Sequence, residues 1–206
     1  MNIKQTVVGM VGTNCYIAAN EDTKECFIVD PGACPESLLS LIKGGEYIPK
    51  AILLTHGHFD HIMGVEQLKT KYDVEIYALD KERTLLGDPV LNMSSYYGQG
   101  IALDDVRYVT DQEKFSLVGY EIEVMATPGH TSGGCCYYIA SEGVLFSGDT
   151  LFCESVGRSD FPTGNGAQLI QSIKERLLDL PEETKVYPGH MGETTIGHEK
   201  QYNPFL

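Results

Sequence analysis

The chain contains no run of about 18 consecutive apolar residues, so it offers no segment to cross a bilayer as a helix. Its opening, MNIKQTVVGMVGTNCYI, lacks a compact apolar core followed by a small-residue cleavage site. It reads as a first strand rather than a secretion signal, and a cytoplasmic protein is the expectation. Positive charge is scarce: 15 lysines and arginines stand against 29 acids, for a net charge of −14. Such a surface repels phosphate backbones and anionic lipid, which counts against nucleic acid and membranes as partners. No C-x-x-C pair occurs among Cys15, Cys26, Cys34, Cys135, Cys136 and Cys153. With no secretion signal, reduced and mostly buried thiols are expected rather than a disulfide framework. No linker, charge block or low-complexity tract interrupts the sequence, so one domain over residues 1–206 is expected.

What is present is a repeated grammar of apolar strand and tight turn. TVVG, CYIAA, CFIVD, AILLT, YEIEVMATP, CCYYIA, GVLFSGDT and KVYPGH read as strands, the last of these as the final one. PESLLSLIKGG (35–45), HIMGVEQLKTKY (61–72) and GAQLIQSIKERLLDL (166–180) carry helical apolar spacing. NMSSYYGQG (92–100) reads as a loop. Strands mixed with helices, joined in places by short connections, suggest two sheets covered by helices. The strand ends recur as DPGA, THGH, TPGH, SGDT and YPGH, and strand ends are where sites are usually assembled.

The six histidines follow this grammar. His56, His58, His61, His130 and His190 lie at strand ends, and only His198 falls in a helix-like tail. In LLTHGHFDHIMG (53–64), three histidines and Asp60 crowd into H-x-H-x-D-H. A chance occurrence of that cluster is on the order of one in a thousand at ordinary residue usage. Imidazole and carboxylate together suit first-row divalent ions. His56 and His58, two apart on an extended segment, project to one side and can grip one ion. Asp60 and His61 come as the helix begins and can hold a second nearby, at the roughly 3.5–4 Å spacing of two-metal enzymes. His130 and His190 can supply one further ligand per ion, and Asp149 can bridge, with Gly148 allowing close approach. Two divalent ions, two carboxylates and a hydroxide leave a net charge of about +1, which favours a developing oxyanion. Zinc is the first choice of metal, with iron or manganese accepting the same ligands. Structural zinc sites are usually closed and cysteine-rich, so an open His/Asp set argues for an enzyme.

THGHFDH (55–61), TPGHTSG (127–133), FSGDT (146–150) and YPGH (187–190), in that order, resemble the metallo-β-lactamase superfamily. The resemblance implies an α/β fold, a four-layer αβ/βα sandwich of two mixed sheets flanked by helices, with metals at one edge. It implies that His56, His58 and His130 hold one ion, that Asp60, His61 and His190 hold the other, and that Asp149 bridges them. It also implies a bridging hydroxide as nucleophile, with Asp60 orienting it and passing on a proton. LFCESVGRSDFPTGN (151–165) and GHMGETTIGHEKQYNPFL (189–206) resemble the glyoxalase II group, the hydroxyacylglutathione hydrolases. The helical C-terminal domain of full-length glyoxalase II enzymes has no counterpart here, so the resemblance is to short, single-domain relatives. The implied substrate is a small-molecule thioester, with Arg158 as its anchor. A mononuclear-iron persulfide dioxygenase and a lactonase stand as alternatives on the same fold.

Overall fold

Side chains that alternate along buried strands sort the apolar residues into two sets, and that sorting builds the layers. In the computed structural model, which describes residues 1–206, six strands form the first sheet: β1 (Asn2–Val8), β2 (Thr13–Ala19), β3 (Glu25–Val29), β4 (Ile48–Leu53), β5 (Glu75–Leu79) and β6 (Arg107–Val109). They lie side by side in sequence order, antiparallel from β1 to β3 and parallel from β3 to β6. β7 (Lys114–Leu117), β8 (Tyr120–Ala126), β9 (Cys135–Ile139) and β10 (Val144–Gly148) begin the second sheet. After a small ribbon of β11 (Leu151–Phe152) and β12 (Ser155–Val156), β13 (Lys185–Pro188) and β14 (Thr194–Thr195) complete it, in the order β14-β13-β10-β9-β8-β7. The helices are α1 (Glu36–Gly44), α2 (Phe59–Ile62), α3 (Val65–Lys71), α4 (Arg83–Leu86), α5 (Gly166–Ser172) and α6 (Ile196–Tyr202).

Three apolar cores separate the layers. Cys15, Ile17, Cys26, Ile28 and Ile52 point out of the first sheet onto Leu38 and Ile42 of α1 and onto Val65 and Leu68 of α3. Their neighbours Tyr16, Phe27, Val29 and Leu53 point inward and meet Val124, Tyr137, Ile139 and Phe146 of the second sheet. Cys136, Tyr138 and Leu145 leave the far face of that sheet and pack against Leu169, Ile173 and Ile196. The result is the αβ/βα sandwich of four layers. Strands buried on both faces read as continuous apolar runs, which is why CFIV and CCYYI are so plain in the sequence. All six cysteines are free, and Cys135 and Cys136, as neighbours on β9, face different cores.

Several elements differ from the expected pattern. The single helix expected over 61–72 is two helices, α2 and α3. The break comes where the Gly64 amide donates to Pro31 O at 2.8 Å, which pins the turn against the end of β3. The helix expected over 166–180 is α-helical only to Ser172 and then widens into a π turn over Ile173–Leu177, with Leu169, Ile173 and Leu177 all buried. KVYPGH is not the last strand, because the two-residue β14 folds back onto β13.

The directions of the strands place the site. β3 and β4 are parallel, as are β8, β10 and β13, and the chain segments leaving these five strands meet at one edge of the sandwich. Hydrogen bonds tie the two sheets together there. Asn14 N donates to Gly189 O at 2.7 Å, Tyr16 Oη to Pro188 O at 2.7 Å, Cys135 N to Thr55 O at 2.9 Å and Tyr137 Oη to Leu54 O at 3.0 Å.

Candidate metal centre

The chain leaves β4 extended, and His56 and His58 turn their rings into the sheet edge, with centroids 4.9 Å apart. α2 begins immediately, carrying Asp60 and His61, and the Phe59 amide is fixed by Asn92 O at 2.8 Å. His130 follows β8, Asp149 follows β10 and His190 follows β13. All seven side chains expected at the site come together, in the two groups His56, His58, His130 and Asp60, His61, His190, with Asp149 between them.

In the first group, His130 Nε2 lies 2.9 Å from His58 Nδ1 and 3.2 Å from His56 Nε2. Three nitrogens around a tetrahedral zinc, each at ~2.05 Å, stand about 3.3 Å from one another. Proton assignment makes the case for a cation. His130 Nδ1 faces the Arg158 carbonyl at 2.7 Å, which can only accept, so the proton sits on Nδ1 and Nε2 is bare. Thr55 Oγ1 donates to Asp30 Oδ2 at 2.6 Å and therefore accepts from His56 Nδ1 at 3.1 Å, which leaves His56 Nε2 bare as well. Two bare lone pairs thus face each other in a buried pocket. Asp149 Oδ1 is also buried with no hydrogen-bond partner. Orphaned buried acceptors are costly unless something positive satisfies them. The residues fit divalent metal.

In the second group, Asp60 Oδ2 is 3.2 Å from His190 Nε2 and 3.5 Å from His61 Nε2. Asp149 reaches both groups: Oδ2 is 3.6 Å from His130 Nε2 and from His190 Nε2, and Oδ1 is 3.4 Å from His61 Nε2. Gly148 has φ +49°, and a Cβ there would lie 2.2 Å from Thr55 Oγ1, so the turn that presents Asp149 needs glycine.

The two groups differ in proton affinity. Burial, reinforced by the neighbouring imidazoles, holds His56 well below the usual histidine range and pushes His58 down to about 3. Burial would lower His61 too, but Asp60, Asp149 and Asp30 around it raise it well above that range. His190 is raised against its burial by the hydrogen bond with Asp60 and by Asp149. Asp60 and Asp149 are held below the carboxylate range, because His61 and His190 outweigh burial.

A cavity of about 420 Å³ opens over this centre. Asp60, His190 and Asp149 form part of its wall, with Val11, Phe59, Tyr97, Phe161 and Met191 among the apolar residues around them. Arg158 also lines it, but its guanidinium is about half exposed, pairs with Asp160 at 2.7 Å and stacks 3.7 Å from the Phe161 ring centre. Among the tyrosines, Tyr97 lines the cavity, Tyr137 and Tyr138 are core and Tyr96 is exposed. His198 lies away from the centre, with Nε2 3.0 Å from Glu154 Oε1.

The structure adds supports that the sequence reading did not single out. Asp30, after β3, accepts from Thr55 N at 2.8 Å and Thr55 Oγ1 at 2.6 Å, and its Oδ2 lies 3.0 Å from His61 Nδ1, near but out of line for a hydrogen bond. It sits within ligand distance of His56 and His61, but its hydrogen bonds to Thr55 make it a support for the histidines rather than a ligand. Thr13 Oγ1 donates to Asp60 Oδ2 at 3.0 Å. The DPG turn was a usable signal for Asp30, being one more strand ending in an acid, whereas nothing in the pattern marked Thr13.

A family model described as the metallo-beta-lactamase superfamily matches residues 8–190, the span that contains all seven side chains. The chain belongs to the metallo-β-lactamase superfamily. The metallo-β-lactamase fold binds divalent metals, and this chain brings His and Asp side chains together at its strand ends in a way that could hold one. The crystal structure of BLEG-1 B3 metallo-beta-lactamase is similar at 40% identity and a TM-score of 0.93, covering 100% of this chain and 99% of that one. That of TTHA1623 in a di-iron-bound form is similar at 35% identity and a TM-score of 0.84, covering 98% and 100%. A curated relative from Haemophilus influenzae, named hydroxyacylglutathione hydrolase GloC, is 35% identical over 100% of this chain and 98% of its own length. Other superfamily relatives of similar identity are described only as probable metallo-hydrolases.

Proposed function

We propose that this protein is a metal-dependent hydrolase with two divalent ions, one held by His56, His58 and His130, the other by Asp60, His61 and His190, and Asp149 shared. Its substrates are small-molecule thioesters. The observation that carries this reading is the facing pair of bare imidazole nitrogens, with Asp149 within 3.6 Å of both ligand groups. When bound, such ions supply hydroxide at neutral pH and stabilise the oxyanion that forms at an attacked carbonyl. The chain's own residues do the rest. Asp60 lines the cavity with Oδ2 engaged by Thr13 and His190, which fixes its carboxylate as an acceptor to orient the attacking oxygen. The apolar wall excludes water and seats an acyl group, and Arg158 at the rim takes an anionic end of the substrate.

The leaving group argues for a thioester. Outside the proposed ligands, the cavity wall carries no imidazole and no carboxylic acid to protonate a departing atom. A thiol of pKa about 8.5 leaves as the thiolate without that help, whereas an alkoxide or amide nitrogen needs it. The likeness to the H. influenzae relative supports the same substrate class. The likeness to BLEG-1 favours a second reading, opening of a β-lactam at the same centre. The two are separated by assaying the zinc- and iron-loaded protein with S-acyl thiols and with a chromogenic β-lactam. The proposal expects thioester turnover that a chelator abolishes and the metal restores. Turnover of the β-lactam alone would overturn the substrate class, and oxygen uptake with a thiol persulfide would replace hydrolysis by the dioxygenase reaction.

A further inference from the structure

A buried carboxylate lies behind the first ligand group and takes no part in the chemistry above. Glu82 ends a short 3-10 turn after β5 and has 0% of its surface exposed. No cation pairs with it. Its Oε1 accepts from the Gly57 amide at 2.9 Å, and its Oε2 from the Thr131 hydroxyl at 3.1 Å. Gly57 is the residue between His56 and His58, and Thr131 follows His130. One side chain, from a third segment of the chain, therefore grips both loops that carry the three-histidine group. Gly133 closes over it: a Cβ there would lie 2.4 Å from Glu82 Oε2, so only glycine lets the second loop approach.

We infer that Glu82 is a positioning residue that clamps the His56–His58 loop to the His130 loop, so that the three-histidine site exists in its binding geometry before an ion arrives. Ordering two loops is a cost that would otherwise fall on metal binding. Partners outside the ligand set that orient metal ligands typically change affinity by about 10- to 100-fold when removed. The clamp touches no atom of the Asp60, His61, His190 group, so its effect falls on one ion. This inference rests on the metal centre proposed above and is independent of the substrate.

The test is Glu82→Leu, which fills the space but accepts no hydrogen bond, beside Glu82→Gln, which keeps an acceptor for Gly57 and a polar partner for Thr131. Thr131→Val removes one arm of the clamp only, as a milder variant in case Glu82→Leu does not fold. Affinities are measured by chelator competition on the full-length protein, with cadmium NMR giving one resonance per site. The expected result is that Glu82→Leu weakens the three-histidine ion by about 10- to 100-fold while the other ion changes by less than about threefold. Thr131→Val weakens the same ion by roughly three- to tenfold, and Glu82→Gln restores most of the affinity. Wild-type affinity in both Glu82→Leu and Thr131→Val, or equal loss of both ions, would overturn the clamp while leaving the metal centre standing. A wild-type protein that binds no ion at the three histidines would overturn both.

Discussion

Replacing Asp30 by asparagine tests the second ligand group through a residue that does not belong to it. Asp30 uses one oxygen for the Thr55 amide at 2.8 Å, the other for the Thr55 hydroxyl at 2.6 Å, and places that second oxygen 3.0 Å from His61 Nδ1. For His61 to offer Nε2 to an ion, its proton must sit on Nδ1, beside an acceptor. Asparagine has one acceptor and one donor. If its NH2 turns towards His61, a positive dipole replaces the carboxylate beside Nδ1 and disfavours the tautomer with its proton on Nδ1, the one that frees Nε2 for the ion. If its oxygen turns that way, the NH2 confronts the Thr55 amide, donor to donor. The first arrangement weakens the ion at Asp60, His61 and His190 by about 10- to 100-fold, or roughly 1.4 to 2.7 kcal/mol. The second leaves a buried amide unpaired and lowers stability by about 1 to 3 kcal/mol. Chelator competition and urea unfolding of Asp30→Asn measure both terms. Wild-type affinity for both ions together with wild-type stability would refute the role given to Asp30.

Tyr137→Phe removes the hydroxyl that ties Leu54 O, just before the histidine loop, to the second sheet at 3.0 Å, and leaves no cavity; thermal unfolding should show a loss of about 1 to 2 kcal/mol, a fall in Tm of roughly 2 to 8 °C. Proton uptake should separate the two sites. His61 is raised well above the usual histidine range and His190 is raised as well, so binding at their site displaces protons and tightens as pH rises. His56 and His58 are already neutral and release none. Between about pH 6 and 8, competition titrations should therefore show the Asp60, His61, His190 ion gaining roughly tenfold per unit for each proton displaced, and the other ion changing far less. Arg158→Ala should raise KM for thioesters with an anionic acyl group by about three- to tenfold and leave kcat within about twofold, because an exposed guanidinium binds weakly and equally before and during reaction; a matching fall in kcat would place Arg158 in the chemistry instead.

The seven side chains were legible because each follows an apolar strand and ends in a turn, so that sequence position implied spatial position. CFIVD, AILLT and GVLFSGD are buried on both faces and stand out as unbroken runs. What escaped lacked such a signal. β6 spans only Arg107–Val109 and is half polar, and β14 is the pair Thr194–Thr195. The break between α2 and α3 depends on Gly64 meeting Pro31 across the fold, which periodicity along one segment does not register. Glu82 follows β5 in ALDKER, where an acid reads as a solvated turn residue. Its burial comes from two loops about 25 and 50 residues away in the chain, closing over it.

The central claim is that two ions sit side by side at the ends of these strands. Metal analysis of protein isolated without chelators, joined to anomalous diffraction at the metal edge, tests it most directly. The account predicts two ions per chain, roughly 3.5 to 4 Å apart, with Asp149 contacting both. A single ion bound only by His56, His58 and His130, with Asp149 and His190 turned away, would contradict it.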